Sequence, residues 1–138
     1  MNRKGKGTRA ERELFHLLWK EFGACVRVAG SGSTSQPAPD LLASNGKRVF
    51  AIECKSIKGE KKYFSSEELE QLCIFANTFG AEAWFAIRFD TKGWFFLEAK
   101  KIPLSKGEQY VVSYSQLQKE GLQFWEFIGK FLQKKLFP

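Results

Sequence analysis

The sequence predicts an α/β fold, in which helices flank the faces of a mixed central β-sheet. Segments with helical and strand periodicity alternate along the chain, and this order of elements is typical of such layered folds. Residues 49–52 are continuously apolar, as expected of a central strand buried on both faces. With 138 residues, of which 43% are hydrophobic, the chain has the size of one core, so residues 1–138 are predicted to form a single domain.

The first predicted element is an amphipathic helix that follows a basic arm at residues 1–7. Thr8 and Glu11 have the spacing of a capping box, and apolar residues then recur with helical period until Gly23 ends the helix. At about 100° per residue, Glu11 falls within the apolar stripe and is directed toward the core. The capping box alone explains an acid at this position, and a metal ligand is the competing interpretation.

Strand and turn signals dominate the middle of the chain. A loop rich in glycine, serine and proline covers residues 30–39, and Asn45-Gly46 is a common hairpin signal that pairs the strand before it with the strand after it. The other predicted elements are strands at residues 24–29, 83–89, 94–98 and 111–112, a helix that begins at Ser65 or Ser66 and ends at Phe79, and a long C-terminal helix within residues 115–138.

The chain is strongly basic. Subtracting 15 acidic from 22 basic residues leaves a net charge of +7, which favours nucleic acid as a partner, although a soluble basic protein without such a partner has the same balance. The charges concentrate in two segments, which contain Arg3, Lys4, Lys6, Arg9 and Arg12 near the start and Lys55, Lys58, Lys61 and Lys62 further on. We expect these two segments to contact DNA.

Other classes of protein are disfavoured by the composition. No run of about 18 apolar residues occurs and no apolar segment follows the basic N-terminus, so we expect a cytoplasmic protein with no membrane partner. The three cysteines form no C-x-x-C pair, which argues against a disulfide framework or a structural zinc site. We expect no small-molecule substrate.

Asp40, Glu53 and Lys55 are predicted to converge where the paired strands end. Alternation along a strand places Glu53 and Lys55 on one face, about 6.6 Å apart, and the hairpin brings Asp40 alongside. Carboxylates that approach closely repel each other unless a hard cation lies between them. Mg²⁺ is the expected ion, with Mn²⁺ as its substitute, and phosphodiester hydrolysis is the chemistry that such a site serves.

Lys55 has two candidate roles in such a site. An ammonium beside the scissile phosphate stabilises negative charge as it develops, whereas neighbouring carboxylates oppose the deprotonation that a general base requires. We therefore favour the electrostatic role of Lys55 over the general-base role, although the charge of a bound metal ion would favour the reverse order. The competing interpretation is a structural ion pair between Glu53 and Lys55, which leaves Asp40 unexplained.

Several motifs taken together resemble the archaeal-type Holliday junction resolvases. They are Arg3-Lys4-Gly5, Ala10-Glu11-Arg12-Glu13-Leu14, Arg27-Val28-Ala29-Gly30-Ser31-Gly32, Pro39-Asp40-Leu41-Leu42-Ala43, Asn45-Gly46, Ala51-Ile52-Glu53-Cys54-Lys55 and residues 75–81. The resemblance extends from about residue 3 to residue 98. Cys54 stands where an aliphatic residue is usual, and no matching motif occurs from Lys100 onward.

The resemblance implies a restriction-endonuclease-like fold, a homodimer, Mg²⁺ and symmetric nicking of four-way DNA junctions. The catalytic residues that it implies are Glu11, Asp40, Glu53 and Lys55, with the three acids as metal ligands and Ser31 as a residue of the active-site loop. It also implies phosphate contacts by Arg12 and Arg27, which join Arg3, Lys4, Lys6, Arg9, Lys58 and Lys61 as predicted DNA-binding residues. Without the resemblance, the serine-rich segment is interpreted as an ordinary exposed loop.

The helix that ends at Phe79 has a second apolar stripe, formed by Leu72, Phe75 and Phe79. One explanation is burial between the sheet and the C-terminal helix. The other is a dimer interface, because two matched cuts in a four-way junction require two identical sites and a two-fold dimer supplies them.

The sequence supports three functional hypotheses. The first is a Mg²⁺-dependent endonuclease that resolves four-way DNA junctions as a homodimer. The second is a nuclease of the same chemistry that cuts flaps, mismatches or a specific duplex sequence. The third is a non-catalytic basic DNA-binding module, in which Asp40, Glu53 and Lys55 only stabilise the fold.

Overall fold

The computed structural model describes residues 3–28, 36–102 and 109–131. Within these ranges the helices are α1 (Arg3–Phe22), α2 (Ser66–Phe79), α3 (Tyr114–Glu120) and α4 (Phe124–Phe131). The strands are β1 (Cys25–Arg27), β2 (Leu41–Ser44), β3 (Val49–Ile57), β4 (Lys61–Phe64), β5 (Glu82–Phe89), β6 (Gly93–Glu98), β7 (Tyr110–Ser113) and β8 (Leu122–Gln123). One turn of 3-10 helix covers Ala99–Lys101.

Six of the described strands form one mixed sheet in the order β1-β2-β3-β5-β6-β8. β3 and β5 are parallel and are connected through α2, whereas the other neighbouring strands are antiparallel. β4 and β7 pair separately as a two-stranded sheet. The predicted α/β class with a mixed central sheet is confirmed.

Two apolar clusters cover the two faces of the main sheet. Side chains of α1 and α4 pack against Phe50 and Ile52 of β3 on one face. Side chains of α2 and α3 pack on the other face, against Ala51 and Ile57 of the same strand. Residues 50–52 are fully buried, which confirms the prediction of a strand enclosed on both sides.

The alternation of side chains along β3 determines which face of the sheet its polar residues occupy. Glu53 and Lys55 have the same parity as Ala51 and Ile57, so they lie on the face covered by α2. Cys54 packs against the cluster beneath α1 and α4 on the opposite face. The prediction that Glu53 and Lys55 share a face that Cys54 does not is therefore confirmed.

α2 begins and ends where its capping residues predict. Of the two candidate caps the structure selects Ser65, whose Oγ accepts a hydrogen bond from the Glu68 N–H at 3.0 Å. Gly80 follows the helix in the left-handed conformation, with φ of 85°, and donates its N–H to the Ala76 carbonyl. Both ends are thus set by contacts within a few residues.

The predicted hairpin between β2 and β3 forms around Asn45-Gly46. Asn45 Oδ1 accepts a hydrogen bond from the Arg48 N–H at 2.9 Å, which closes the turn. Gly46 has φ of 97°, a conformation that favours glycine. The turn brings the residues on either side of it into antiparallel register.

The predicted start of α1 is wrong. The helix begins at Arg3, so residues 3–7 are helical and do not form a separate arm, and Thr8 and Glu11 lie inside the helix. Lysine and arginine are favourable helix residues but Gly5 and Gly7 are not, so local propensity does not predict this extension of the helix.

The predicted single C-terminal helix is also wrong, because the chain leaves the helix at Gly121. A Cβ atom at Gly121 would lie 2.8 Å from the Leu117 carbonyl oxygen, and the backbone there is extended, with ψ of 169°. Leu122–Gln123 then joins the sheet beside β6 as β8, and α4 starts at Phe124. The last residues of the predicted helix, 132–138, lie outside the described ranges.

β4 is a strand that the sequence did not predict. Only Phe64 of its four residues is buried, so the segment has no apolar alternation. It is held by pairing with β7, the predicted short edge strand at residues 111–112. No helix in the described part of the chain has the length and apolar character needed to cross a membrane.

Candidate active site

Asp40 and Glu53 meet where the pairing of β2 with β3 ends. Asp40 directly precedes β2, and Glu53 directly follows Ile52, the residue with which Leu41 pairs. The Asp40 N–H donates to the Ile52 carbonyl at 3.1 Å, which holds the two chain segments together up to this point. The carboxyl groups of Asp40 and Glu53 share a hydrogen bond. The structure therefore brings these two acids together, as the hairpin predicts.

Asp40 is tied to the strands on both of its sides. Its Oδ2 accepts a hydrogen bond from the Cys54 N–H at 2.8 Å, so the carboxylate satisfies a donor of β3 beyond the residues that pair with β2. Its backbone carbonyl accepts from the Val28 N–H at 2.9 Å, just after β1 ends. The sheet itself sets the orientation of the Asp40 side chain.

Among the acids of the site, Glu53 has the most strongly shifted pKa. Burial raises the pKa of Glu53 to about 9, and the hydrogen bond and charge of Asp40 act in the same direction. Lys55 opposes the shift and Glu68 adds to it. Because two adjacent carboxylates repel each other, the pair retains a proton unless a cation replaces it.

Glu11 approaches Asp40 from α1 and is paired with Arg27. Glu11 Oε1 accepts a hydrogen bond from Arg27 Nε at 3.2 Å, and the two side chains are 19% and 30% exposed. Burial and the charge of Asp40 raise the pKa of Glu11, whereas Arg27 lowers it. The predicted inward orientation of Glu11 is confirmed, and its immediate partner is a guanidinium.

The three-acid ligand set is assembled only in part. Across residues 3–28, 36–102 and 109–131, no three His, Cys, Asp or Glu side chains gather closely enough to hold a metal ion. Asp40 and Glu53 are in contact, but Glu11 belongs to the helix on the opposite face of the sheet from Glu53 and is held by Arg27. The described residues therefore bring Asp40 and Glu53 together as a pair, and Glu11 as a third metal ligand stays a prediction.

Lys55 lies between the acid pair and α2. Its Nζ donates to the carboxylate of Glu68, and the two side chains are 23% and 28% exposed. The same Nζ lies 5.9 Å from the centroid of the Phe64 ring. The ion-pair partner of Lys55 is thus a residue of α2, and not Glu53 as in the alternative interpretation of a structural pair.

Four of the residues predicted to contact DNA have described side chains at the surface. Arg9, Arg12, Lys58 and Lys61 are exposed, as expected of residues predicted to contact DNA. The side chains of Arg3, Lys4 and Lys6 lie outside the described part of the chain, as does the whole of Ser31.

Two of these basic residues line one cleft. Arg9 of α1 and Lys58, which follows β3, border a cavity of about 460 Å³ together with Arg88 of β5. Glu13 lines the same cleft and accepts a hydrogen bond from Arg88 Nε at 3.4 Å. The cleft therefore joins two segments that are far apart in the sequence.

The predicted interface stripe on α2 is corrected at Leu72. Leu72 is only 4% exposed and packs with Leu69 and Ala76 in the cluster beneath α2, because these three positions recur on the face turned toward the sheet. Phe75 is half-buried and Phe79 is 56% exposed, and their rings stack with centroids 5.5 Å apart. Two of the three predicted residues thus lie at the surface.

The structure adds Glu68 as a partner of Lys55 and Arg88 as a residue of the cleft. Glu68 follows Ser65 at the spacing of a capping box, a local signal that predicts a helix start but no contact with Lys55. Arg88 lies opposite Ser56 because β3 and β5 are parallel neighbours. No local signal specifies that pairing, so neither residue was found from the sequence.

A mixed sheet that brings together an acid just before β2 with an acid and a lysine within β3, which continues to Ile57, is the arrangement of a restriction-endonuclease-like nuclease fold. The sequence profile of the archaeal Holliday junction resolvases matches residues 2–136. The chain belongs to this family.

Individual relatives agree with this assignment. The crossover junction endodeoxyribonuclease Hjc of Archaeoglobus fulgidus is 42% identical over 132 residues, which cover 96% of each chain. The enzyme of the same name from Methanocaldococcus jannaschii is 34% identical over 132 residues, 95% of this chain and 92% of that one.

The solved structure of Archaeoglobus fulgidus Hjc, described as a Holliday junction resolvase from an archaeal hyperthermophile, matches with a TM-score of 0.81 and 40% identity. The match covers 89% of this chain and 98% of that one. Together with the family match to residue 136, this extends the similarity beyond residue 98, where the motifs visible in the sequence end.

Proposed function

We propose that this protein is an endonuclease that resolves four-way DNA junctions by hydrolysing phosphodiester bonds in a pair of opposed strands. The main supporting observation is the contact between the Asp40 and Glu53 carboxyl groups, with Lys55 on the same face of β3 as Glu53. The names of the relatives and the family supply the substrate. The net charge of +7 suits a polyanionic substrate.

The acid pair fits Mg²⁺, with Mn²⁺ as a substitute. Mg²⁺ is commonly held by one or two carboxylates, with water and substrate phosphate oxygens completing its coordination. Asp40 and Glu53 are two hard oxygen donors that share a proton, so a cation relieves their repulsion. When bound, such an ion polarises the scissile phosphate and lowers the pKa of a water molecule.

The contacts of Lys55 and Glu11 favour a specific role for each of them in the proposed reaction. Lys55 Nζ is already held as a hydrogen-bond donor, which suits stabilisation of charge on the phosphate oxygens better than acceptance of a proton. Glu11 orients the Arg27 guanidinium, which suits contact with a DNA phosphate. Glu11 as a third ligand and Ser31 as a loop residue stay predictions from the family resemblance.

Paired cutting of a four-way junction requires contacts with DNA phosphates and two identical active sites. We propose that Arg3, Lys4, Lys6, Arg9, Arg12, Arg27, Lys58 and Lys61 contact DNA phosphates. Two copies of the chain, joined through exposed Phe79 and the half-buried Phe75 stacked on it, would present two identical sites to the junction. Each acid pair then cuts one of two opposed strands.

The test is a labelled four-way junction incubated with the protein and Mg²⁺. We expect paired nicks, their loss in EDTA, and their loss in Asp40→Asn and Glu53→Gln variants that still bind the junction. Glu67→Gln is the matched control, because Glu67 is an exposed carboxylate of α2 whose partner is Gln71. Full cleavage by either site variant would overturn the assignment of the site.

Competing substrates separate this proposal from the two other hypotheses. A nuclease specific for flaps, mismatches or a duplex sequence would cut those substrates in preference to the junction. A basic DNA-binding module would bind the junction equally well with and without EDTA and would produce no nicks with any divalent ion. We expect the junction to be preferred over duplex DNA of the same sequence.

A further inference from the structure

Lys55 is held in place by the carboxylate of Glu68, a residue to which the proposed function assigns no role. Its Nζ donates to Glu68, and both side chains are about one quarter exposed, so the pair is partly shielded from water. A lysine side chain has four rotatable carbon–carbon bonds and loses considerable entropy when it is fixed. An ion-pair partner with a fixed position therefore determines the average position of the Lys55 ammonium.

The position of Glu68 is itself rigid. Ser65 caps the first turn of α2 through the Glu68 N–H, at 3.0 Å. The next residue, Leu69, is 8% exposed and belongs to the apolar cluster that also contains Ala51 and Ile57 of β3. The helix start and the strand that carries Lys55 are thus packed as one unit, which fixes the backbone of Glu68 relative to Lys55.

Glu68 also prevents a competing arrangement. Lys55 shares a face of β3 with Glu53, its charge acts on the Glu53 carboxyl, and Glu53 in turn contacts Asp40, so the acid pair is an alternative partner for the ammonium. An ammonium bound directly to that pair would occupy the oxygens that a cation needs. A partner on α2 draws the ammonium to one side and leaves those oxygens accessible.

We propose that Glu68 is a positioning residue, which holds the Lys55 ammonium beside the acid pair and off its oxygens so that it meets the scissile phosphate. This inference rests on the proposed nuclease function. It assigns Glu68 no contact with substrate or metal. Its charge also adds to the raised pKa of Glu53, and the Glu68→Gln variant, which lacks that charge but keeps an acceptor oxygen, separates this effect from the positioning of Lys55.

The experiment measures single-turnover cleavage of a labelled junction with the dimer in excess, and junction affinity in Ca²⁺ without cleavage. We expect Glu68→Ala to slow cleavage about 100-fold, the usual cost of a misplaced group, with unchanged affinity. Glu68→Gln retains an oxygen that accepts from the ammonium, so we expect it to restore most of the rate. Lys55→Ala serves as the reference for complete loss of the group.

Glu67→Ala is the matched control. Glu67 lies in the same helical turn, so its removal has the same effect on the helix dipole, but its partner is Gln71. We expect Glu67→Ala to cleave like the unmodified protein. Glu68→Leu preserves the side-chain volume and decides the question if Glu68→Ala fails to fold.

The outcomes separate this inference from the proposed function. Normal cleavage by Glu68→Ala, with Lys55→Ala inactive, would overturn the positioning role and leave the nuclease assignment intact. Equal slowing by Glu67→Ala would also overturn it, because the effect would then come from the helix start. An unmodified protein that makes no nicks would overturn both.

Discussion

Glu53 shows how the fold changes the chemistry of one side chain. A glutamate in water has a pKa of about 4.3, whereas burial and the contact with Asp40 raise the pKa of Glu53 to about 9. The largest cause is the cost of removing the charged carboxylate from water, and the hydrogen bond and negative charge of Asp40 add to it. A divalent cation removes that cost, so proton release and cation binding at this pair are coupled.

The coupling predicts how stability depends on pH. Because the pKa of Glu53 is raised on folding, its contribution to the free energy of unfolding is fully present below about pH 4.5 and is lost as pH rises through about 9. We expect the metal-free protein to lose at least about 1.4 kcal/mol, the equivalent of one pKa unit, between these limits. Urea denaturation at a series of pH values measures it, and excess Mg²⁺ should reverse the loss at high pH.

Asp40→Asn is the control for this pH effect. The substitution removes the neighbouring charge that contributes to the raised pKa of Glu53, so the loss of stability at high pH should shrink. The carboxyl ¹³C shift of Glu53 reports its titration directly. A titration midpoint that stayed at the same pH in the Asp40→Asn protein would contradict the shared hydrogen bond.

At the scale of elements, the start of α2 contributes to the stability of the fold through Ser65 and contacts the site through Glu68. Ser65→Ala removes the oxygen that accepts from the Glu68 N–H and should lower the free energy of unfolding by about 1 kcal/mol. Chemical denaturation measures this loss. Ser66→Ala is the matched control, because Ser66 is the first helical residue and is exposed. An equal loss in both variants would argue against Ser65 as the cap.

α4 covers one face of the sheet with aromatic rings. Phe127 is fully buried, stacks on Phe96 with ring centroids 4.2 Å apart, and contacts Phe50 and Trp84. Phe127→Ala should therefore lower the free energy of unfolding by about 3–5 kcal/mol. Trp125→Ala, on the same helix, should change it by less than about 0.5 kcal/mol, because Trp125 is 67% exposed. Thermal or urea unfolding of the two variants compares them directly.

At the scale of the whole molecule, the proposed resolvase needs two sites and therefore two copies. The stacked rings of half-buried Phe75 and exposed Phe79 form the surface that we expect the copies to share. Phe79→Glu places a charge in that surface and should convert a dimer into monomers in analytical ultracentrifugation, because an unpaired charge is costly to bury. Paired nicking of junctions should fall with it.

Trp125→Glu is the corresponding control for assembly. Trp125 is an exposed aromatic residue of α4, on the face of the sheet opposite α2. We expect this variant to remain dimeric. Dissociation of the dimer by Trp125→Glu and not by Phe79→Glu would move the interface to the other face of the molecule.

Local signals were sufficient for part of this structure. The bounds of α2 follow from Ser65 and Gly80, and the hairpin follows from Asn45-Gly46, because caps and turns are specified by contacts within a few residues. The hairpin in turn placed Asp40 beside Glu53, so the acid pair was predictable. The apparent capping box at Thr8 shows the limit of such signals, since the helix continues through it.

The sequence by itself thus determined the fold class, the strand that carries Glu53 and Lys55, and the meeting of Asp40 with Glu53. Only the tertiary structure decided that Glu11 pairs with Arg27, that Lys55 pairs with Glu68, that β4 joins β7, and that Leu122–Gln123 leaves the helix to extend the sheet. The physical reason is distance along the chain. These partners are brought together by packing on the two faces of the sheet, and no interaction between sequence neighbours distinguishes them from other residues of the same charge or polarity.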